Sequence, residues 1–276
     1  MQRLLIVGYG DIARRFASRL PGGVEPRPLT RSLGADLDRP DTLGAFCGWA
    51  DTVLHTAPPG AAHDSDTRTA NLLGLLGQGK PPARIVYLST SGVYGDCQGE
   101  RVDETRPVNP STPRARRRVD AEVLLAAWCG MHDVALVILR VPGIYAADRL
   151  PLDRLRAGTP ALCADEDGYT NHIHADDLAA IALRACAPDA PPGIYNAADD
   201  SEMRMGDWFD LVADRHGLPR PPRIARSETQ GRISPEMLSF MGESRRLVNA
   251  KMKRDLGIRL AYPTVCEGVP LTANFA

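Results

Sequence analysis

The sequence predicts an α/β protein with a doubly wound parallel sheet and a small C-terminal lobe. Two observations indicate this fold. Through the first 140 residues, short apolar runs alternate with segments of helical periodicity, which is typical of a parallel sheet with crossover helices. After Pro142 the alternation loosens into short helices and loops rich in proline, glycine and charge, as expected for a lobe attached to the sheet.

Five runs predict the strands of this sheet. The first (RLLIV) and the last (VALVILR) are almost wholly apolar, as in strands buried on both faces. The second is a poor strand, because Pro26 and Pro28 remove donors from the hydrogen-bond ladder. In chain order the five runs are 3–7, 24–30, 51–56, 84–89 and 134–140.

The helices are predicted from apolar periodicity and from their end signals. The first follows the first strand directly and aligns Ile12, Phe16 and Leu20 on one face. Thr112 is a suitable N-cap for the helix that follows it, which has proline in its first turn. The remaining predicted helices are 65–78, 113–128, 175–186, 205–216 and 245–255.

A glycine motif, Gly8-x-Gly10-x-x-Ala13, ends the first strand and opens the first helix. Its first glycine allows a tight turn, its second lets the backbone approach a pyrophosphate, and its small third residue lets the helix pack on the strand. The helix N-terminus offers N–H groups to phosphates. This context predicts a Rossmann-type dinucleotide site, with a ligand-free glycine turn as the alternative. The predicted contacts are Gly8, Tyr9, Gly10, Asp11 and Ile12.

The residues after the second strand select the cofactor. An NAD site usually has Asp or Glu here to hold the ribose hydroxyls, whereas this chain has Arg31 and Ser32. A guanidinium and a hydroxyl suit a 2′-phosphate, so we predict NADP(H), with NAD(H) as the alternative if Arg31 is only a solvated loop charge. Asp36 and Leu37 are expected to border the adenine.

The sequence predicts two domains. Residues 1–145 form an NADP-binding Rossmann domain, and residues 146–276 form a smaller substrate-binding lobe. The two are interleaved, because a segment at about 170–198 is expected to complete the sheet.

Composition argues against several classes of protein. The 33 basic and 34 acidic side chains nearly balance, unlike the basic excess of a general nucleic-acid binder. No apolar run approaches the ~20 residues of a membrane span. The six cysteines form no C-x-x-C pair, and no third ligand accompanies His172 and His174, so no metal site is expected. We expect a reduced, cytoplasmic protein.

Further motifs carry a family resemblance. They are LHTAPP at 54–59, YLSTSGVYGD at 87–96, LRVPGIY at 139–145, NHIHADDLA at 171–179, GIYNAADD at 193–200 and AYPTVCEGV at 261–269. In this order, after the glycine motif, the chain resembles the extended short-chain dehydrogenase/reductases, also called the NAD-dependent epimerase/dehydratase family. The resemblance implies an oxidoreductase or epimerase acting on a small molecule, and a homodimer formed through the helices at 65–78 and 113–128.

The resemblance also implies roles for single residues. Thr90 matches the catalytic Ser/Thr and would hydrogen-bond a substrate oxygen. Ser91 and Gly92 stand where sugar dehydratases carry acidic residues, which disfavours dehydratase chemistry. The other implied roles are cofactor contacts at Thr56, Ala57, Pro58, Pro142 and Ile144, and substrate contacts at Ser91, Arg114 and Tyr145.

The family's Tyr-x-x-x-Lys pair has no counterpart here. No tyrosine lies between residues 95 and 144, and no lysine lies between 81 and 250. Counting back from Glu122 puts Arg118 at the lysine position, where it could hold the cofactor ribose, and Arg114 at the tyrosine position. Arginine is too basic to donate the proton. The loss resembles that in an atypical branch, the YeeZ-like proteins. Tyr94, Tyr145 and Asp148 are candidate proton donors, and we place Tyr94 with Thr90 and Arg118 in the predicted catalytic set.

Two functions therefore stay open. One is an NADP(H)-dependent oxidoreductase or epimerase on a sugar-like or carbonyl small molecule. The other is a non-catalytic NADP(H)-binding redox sensor or scaffold. Arg114, Arg116, Arg117 and Arg118 crowd the start of one helix, which indicates either an anionic substrate or a solvated basic face.

Overall fold

The computed structural model describes residues 2–61 and 65–271 and is built on one central six-stranded parallel sheet. Its order is β2-β1-β3-β4-β6-β11, and the shorter strands form two-stranded pairs outside it. The strands are β1 (Gln2–Val7), β2 (Val24–Leu29), β3 (Thr52–His55), β4 (Arg84–Thr90), β5 (Arg101–Val102), β6 (Ala135–Val141), β7 (Gly143–Tyr145), β8 (Ala161–Leu162), β9 (Tyr169–Thr170), β10 (His172–His174), β11 (Gly193–Asn196), β12 (Met203–Arg204), β13 (Arg223–Ile224) and β14 (Arg246–Leu247).

Helices cover both faces of the sheet, which confirms the predicted doubly wound α/β fold. One apolar layer lies between the sheet and α1 and α5, and the other lies between the sheet and α2 and α3. The helices are α1 (Asp11–Ala17), α2 (Thr67–Leu76), α3 (Pro113–His132), α4 (Leu152–Arg156), α5 (Ala175–Ala185), α6 (Met205–Arg215), α7 (Pro235–Met241), α8 (Ala250–Asp255) and α9 (Val265–Gly268).

The strand order reverses at β1. From there the chain runs outward to β2 on one side and then crosses to β3 on the other side. In open parallel sheets, the carboxyl ends of the strands at such a reversal leave a crevice between the crossover connections. The glycine turn that follows β1 therefore stands at the place where the sheet topology itself opens a ligand site.

The two prolines of β2 are explained by its place at the edge of the sheet. The Gln2 and Gly8 amides donate to the carbonyls of Gly23 and Leu29, so the odd-numbered residues of β2 face β1. Pro26 and Pro28 then stand at positions whose amides would point away from the sheet. Proline costs no ladder bond there, and the segment pairs with β1 along its whole length.

Helix α3 positions much of the site. The Thr112 hydroxyl caps it by accepting from the Ala115 amide, and Asp133, with φ of 55°, ends it in a left-handed turn. Its buried face presents Ala121 and Leu125 to the sheet. The helix therefore runs one turn beyond the predicted end at residue 128.

The predicted helix at 245–255 is wrong in its first half. Arg246 and Leu247 are extended and pair with β5, and only α8 is helical. The side-chain amide of Asn249 donates to the carbonyls of Ala198 and Asp199, and this tertiary bond fixes the chain just before α8 begins. These partners come from distant segments, so local periodicity could not reveal them.

The later part of the chain returns to the sheet before it completes the lobe. β11 pairs with β6 as the sixth strand, and Tyr145 packs with Trp208 and Phe209 of α6 in a separate apolar cluster. The division at residue 145 stays a prediction. None of the described helices is long and apolar enough to span a membrane.

Candidate functional site

A cleft of about 450 Å³ opens at the carboxyl ends of β1, β2, β3, β4 and β6. Thirteen of the fifteen residues predicted as cofactor contacts line it, and Ser32 and Pro142 are outside the described lining. The thirteen are Gly8, Tyr9, Gly10, Asp11, Ile12, Arg31, Asp36, Leu37, Thr56, Ala57, Pro58, Arg118 and Ile144. The sheet thus gathers residues that are far apart in sequence at one edge.

The glycine turn after β1 packs directly against the turn after β3. Gly8 has a φ of +83°, and a Cβ there would lie 2.8 Å from the Ala57 amide nitrogen. The Thr56 hydroxyl donates to the Gly8 carbonyl at 2.9 Å. Only glycine combines this backbone angle with this approach, so Gly8 is required by the protein's own packing.

Gly10 differs from Gly8 in a way that bears on ligand binding. Its φ is −77°, and a Cβ there would meet no described protein atom within 4 Å. Neither backbone strain nor protein packing therefore calls for glycine at this position. The missing side chain leaves room on the cleft side of the turn, which fits the close approach of a phosphate group to the backbone.

The cleft ends beside the turn that follows β2. Arg31 begins this turn and is exposed, and Asp36 and Leu37 follow it along the same wall. Arg68 of α2 closes this end: its guanidinium donates to both oxygens of Asp38, at 2.9 and 2.6 Å, and to the Pro58 carbonyl. No local pattern pointed to Arg68, since its partner is thirty residues away.

Arg118 supplies a fixed positive charge at the cleft floor. Its Nη1 donates to the Tyr87 hydroxyl at 2.9 Å and to the Leu88 carbonyl at 2.8 Å. Both acceptors are uncharged, so neither offsets the positive charge of this cleft-lining guanidinium. Burial raises the pKa of Tyr87 to about 12, so this hydroxyl, which is neutral at pH 7 in any case, keeps its proton further into the alkaline range.

A buried charged pair lies behind the floor. The Ser89 hydroxyl, on the cleft wall, donates to Glu122, whose other oxygen lies 2.7 Å from Arg140. The side chains of Glu122 and Arg140 are only 8% and 5% exposed. Removing one partner of such a pair leaves an uncompensated buried charge, so this pair fixes α3 against β4 and β6. Ser89 was not among the predicted site residues.

Thr90 stands at the end of β4, one residue beyond the cleft-lining Ser89. It is half-buried, and its hydroxyl oxygen accepts from the Gly92 amide at 3.2 Å. An oxygen that accepts this bond still has its own proton to donate. The neighbouring Ser91 is buried, and neither residue is among the described lining of the cleft.

The structure separates both candidate tyrosines from the cleft. Tyr94 is buried, and its hydroxyl donates to Asn196 Oδ1 at 2.8 Å, while burial raises its pKa. Tyr145 is also buried, donates to the Thr264 carbonyl at 3.3 Å, and has a pKa raised by burial. Neither is part of the described cleft lining.

Arg114 and Arg118 lie one turn apart on α3 but point to different neighbours. The Arg114 guanidinium lies 4.0 Å from the centroid of the Phe240 ring and 4.0 Å from the Glu236 carboxylate, both on α7. Its side chain remains 43% exposed. Arg114 therefore joins α3 to α7, and α7 covers the start of the helix that carries Arg118.

A charged network joins the glycine turn to the segment after β7. Asp11 accepts from Arg15 and from Arg149, and Arg15 in turn donates to both oxygens of Asp148. Asp148 is thus held by a guanidinium, which disfavours it as a proton donor. Arg149 lines the cleft, and sequence reasoning did not place it there because its partner lies 138 residues away.

Comparison with known proteins agrees with this geometry. A model described as "NAD dependent epimerase/dehydratase family" matches residues 19–198. Protein YeeZ of Escherichia coli (strain K12) is 33% identical over 150 residues, which cover 54% of this chain and 52% of that protein. The chain therefore spans about half the length of this curated relative.

Two solved structures cover nearly the whole chain. A functionally unknown conserved protein from Silicibacter pomeroyi DSS is 27% identical, with a TM-score of 0.77 over 97% of this chain and 96% of that one. The UDP-glucose 4-epimerase of Thermus thermophilus, in complex with NAD, is 22% identical, with a TM-score of 0.75 over 98% and 97%. At 22% identity the second likeness concerns the fold alone.

Proposed function

Because the chain belongs to the NAD dependent epimerase/dehydratase family, we propose that it is an NADP(H)-dependent oxidoreductase or epimerase acting on a sugar-like or carbonyl small molecule. The observation that carries this proposal is the cleft that joins Gly10, Arg31 and Arg118 along one edge of the sheet. These three places correspond to the pyrophosphate, the adenosine ribose and the nicotinamide ribose of a dinucleotide lying across the strand-order reversal.

Arg31 supports NADP(H) over NAD(H). It is exposed at the end of β2, where a carboxylate would otherwise hold the adenosine ribose hydroxyls. A guanidinium there pairs with a 2′-phosphate through charge-assisted hydrogen bonds. The Thermus thermophilus epimerase was solved with NAD, so NAD(H) is the alternative that direct binding measurements must compare.

Thr90 and Arg118 are the residues to which we assign the chemistry. A bound nicotinamide would supply or accept the hydride, and water would supply or take up the accompanying proton. The Thr90 hydroxyl would donate to the substrate oxygen, since its own oxygen already accepts from Gly92. Arg118 would hold ribose hydroxyls with the donors that Tyr87 and Leu88 do not use. We assign no proton transfer to Tyr94, because its hydroxyl proton is held by Asn196.

The non-catalytic alternative rests on a specific observation. Arg114 stands at the sequence position of the missing tyrosine, and its guanidinium is stacked on Phe240. Since arginine keeps its proton at any working pH, this position cannot serve as an acid. A protein that binds NADP(H) and transfers no hydride would be a redox sensor or scaffold in the cytoplasm.

Hydride transfer tests the two functions against each other. Nucleotide sugars, aldehydes and ketones are offered with NADPH or NADP⁺ to the wild type and to Thr90→Val, which keeps the side-chain shape. Absorbance follows net NADPH oxidation or formation, and chromatography of the sugars follows epimerisation, because an epimerase returns the hydride and leaves the NADPH level unchanged. We expect turnover by the wild type and a fall of about 100-fold in kcat for Thr90→Val, because a donor to the reacting oxygen is lost. NADPH affinity should not change.

One result would contradict the enzyme, and another would contradict the role of Thr90. NADPH binding without turnover of any substrate class favours the sensor or scaffold. Equal turnover by the wild type and Thr90→Val removes Thr90 from the chemistry.

A further inference from the structure

Among the described residues, four arginines line the cleft, and one of them pairs with a carboxylate of the cleft wall itself. Arg68 is held by Asp38, and Arg118 is held by a hydroxyl and a carbonyl. Arg31 is exposed at the far end. Arg149 comes from the opposite wall, after β7, and its Nη1 lies 3.1 Å from Asp11 Oδ2.

The position of Asp11 makes this contact unusual. Asp11 follows Gly10 directly, so a carboxylate stands beside the turn that faces the expected pyrophosphate. Two negative charges close together repel, and a phosphate group there needs a compensating cation. Arg149 is in contact with Asp11 and also lines the cleft, so it can supply that cation.

Asp11 does not depend on Arg149. The Nε of Arg15 donates to both Asp11 oxygens, at 3.0 and 3.2 Å, so the carboxylate stays paired when Arg149 leaves. The side chains of Arg149 and Asp11 are 37% and 25% exposed, and a single hydrogen bond joins them. An ion pair of this kind is weak, so exchanging it for a phosphate costs little.

We propose that Arg149 is a pyrophosphate ligand of the cleft and that Asp11 holds it in the nucleotide-free protein. This inference rests on the proposed function, since it needs a dinucleotide in the cleft. Binding would exchange one partner of Arg149 for another, so that the segment after β7, next to the nicotinamide end, contacts the nucleotide itself. Asp11 then acts as a competitor that weakens nucleotide binding.

The proposal predicts opposite effects for the two partners, which a purely structural ion pair would not give. Arg149→Ala should weaken NADPH binding by about tenfold or more, because a charge-assisted bond to phosphate is lost. The NADPH affinity of Arg149→Lys should lie between those of the wild type and Arg149→Ala, since lysine keeps the charge without the planar fork. Asp11→Asn should tighten NADPH binding severalfold, because the repulsion is removed and Arg15 keeps an acceptor.

The experiment measures dissociation constants by titrating nicotinamide fluorescence for NADPH and by calorimetry for adenosine 2′-monophosphate, which keeps the 2′-phosphate and has no phosphate on the 5′ side. Arg156→Ala is the control, because it removes an arginine from an exposed ion pair on α4 outside the described cleft lining. The control should bind like the wild type. The Arg149 variants should lose much less affinity for adenosine 2′-monophosphate than for NADPH.

Three results would overturn the proposal. The first is NADPH affinity unchanged in Arg149→Ala. The second is an equal loss in Arg149→Ala and Asp11→Asn, which indicates a structural tie. The third is an equal loss for NADPH and adenosine 2′-monophosphate. A wild type that binds NADPH with any of these patterns leaves the proposed function standing, whereas a wild type that binds neither NADPH nor NADH overturns both.

Discussion

Arg118 is a site residue that could be predicted from the sequence alone. Counting back from Glu122 placed it in the site, and the structure puts it in the cleft, bonded to Tyr87 and Leu88. The partners of Tyr94 and Tyr145 were not predictable in this way. Asn196 and Thr264 are more than a hundred residues distant from them, so burial of these hydroxyls appears only once the chain is folded.

Arg31 gives a prediction at this scale. Arg31→Ala should weaken NADPH binding by about tenfold and change NADH binding little, because only NADPH offers a 2′-phosphate to the guanidinium. Fluorescence titration of both nucleotides checks this. Arg39→Ala, which removes an arginine from an exposed ion pair with Asp41, is the matched control. A similar loss for both nucleotides would mean that Arg31 does not select the cofactor.

Asp199 gives a second prediction, on stability and pH. It is buried, its Oδ2 has no hydrogen-bond partner in the described structure, and burial raises its pKa to about 7. The folded protein therefore binds a proton that the unfolded chain releases near pH 4. Between about pH 4 and pH 7, this group lowers the free energy of unfolding as pH rises.

Asp199→Asn removes that titration. We compare the free energy of unfolding of the variant with that of the wild type at each pH. Between pH 4 and pH 8, the variant should gain roughly 2 to 4 kcal/mol relative to the wild type. Urea unfolding at several pH values measures it. The buried His55 and His172, whose pKa values burial lowers to about 3, have the opposite slope but are present in both proteins. A difference that does not vary with pH would show that Asp199 is ionised throughout.

Single elements were predictable where local signals agreed. The N-cap of α3 and the strand β1 follow from residue types near each other in sequence. The start of α8 was not predictable in this way, because Asn249 is fixed by the carbonyls of residues 198 and 199. Short elements in the later part of the chain are set by such tertiary bonds, which a periodicity argument does not contain.

Helix α3 carries a prediction about assembly. Val123 and Met131 are 60% and 75% exposed on this helix, which packs against α2. We expect a homodimer that buries them, because large apolar side chains exposed on one helix favour association. Val123→Asp with Met131→Asp should give a monomer by size-exclusion chromatography with light scattering. Val108→Asp, at an exposed loop valine, should stay a dimer. A monomeric wild type would refute this assembly.

At the scale of the whole molecule, the fold of the first half was predictable from the sequence and the fold of the second half was not. The strand–helix alternation of the first 140 residues indicated the sheet and the cleft edge, since a parallel sheet brings all its carboxyl strand ends together. No comparable topological rule applies to the C-terminal lobe. Its short strands pair across long separations, so the sequence left the substrate undefined.

Nucleotide binding should stabilise the molecule as a unit. NADPH at a hundred times its dissociation constant should add about 2.7 kcal/mol to the free energy of unfolding. For a chain of this size, that corresponds to a rise in Tm of roughly 5 °C or more. Thermal denaturation with NADPH, NADH and no nucleotide checks it. An unchanged Tm with both nucleotides would mean that the glycine turn binds no dinucleotide.

The prolines of β2 have a consequence for the protein in crowded solution. An unpaired strand edge is a template on which a foreign strand can add, and repeated addition builds insoluble fibrils. Pro26 and Pro28 remove two of the outward donors from this edge. The residues that make β2 hard to recognise as a strand thus protect the sheet from self-propagating aggregation.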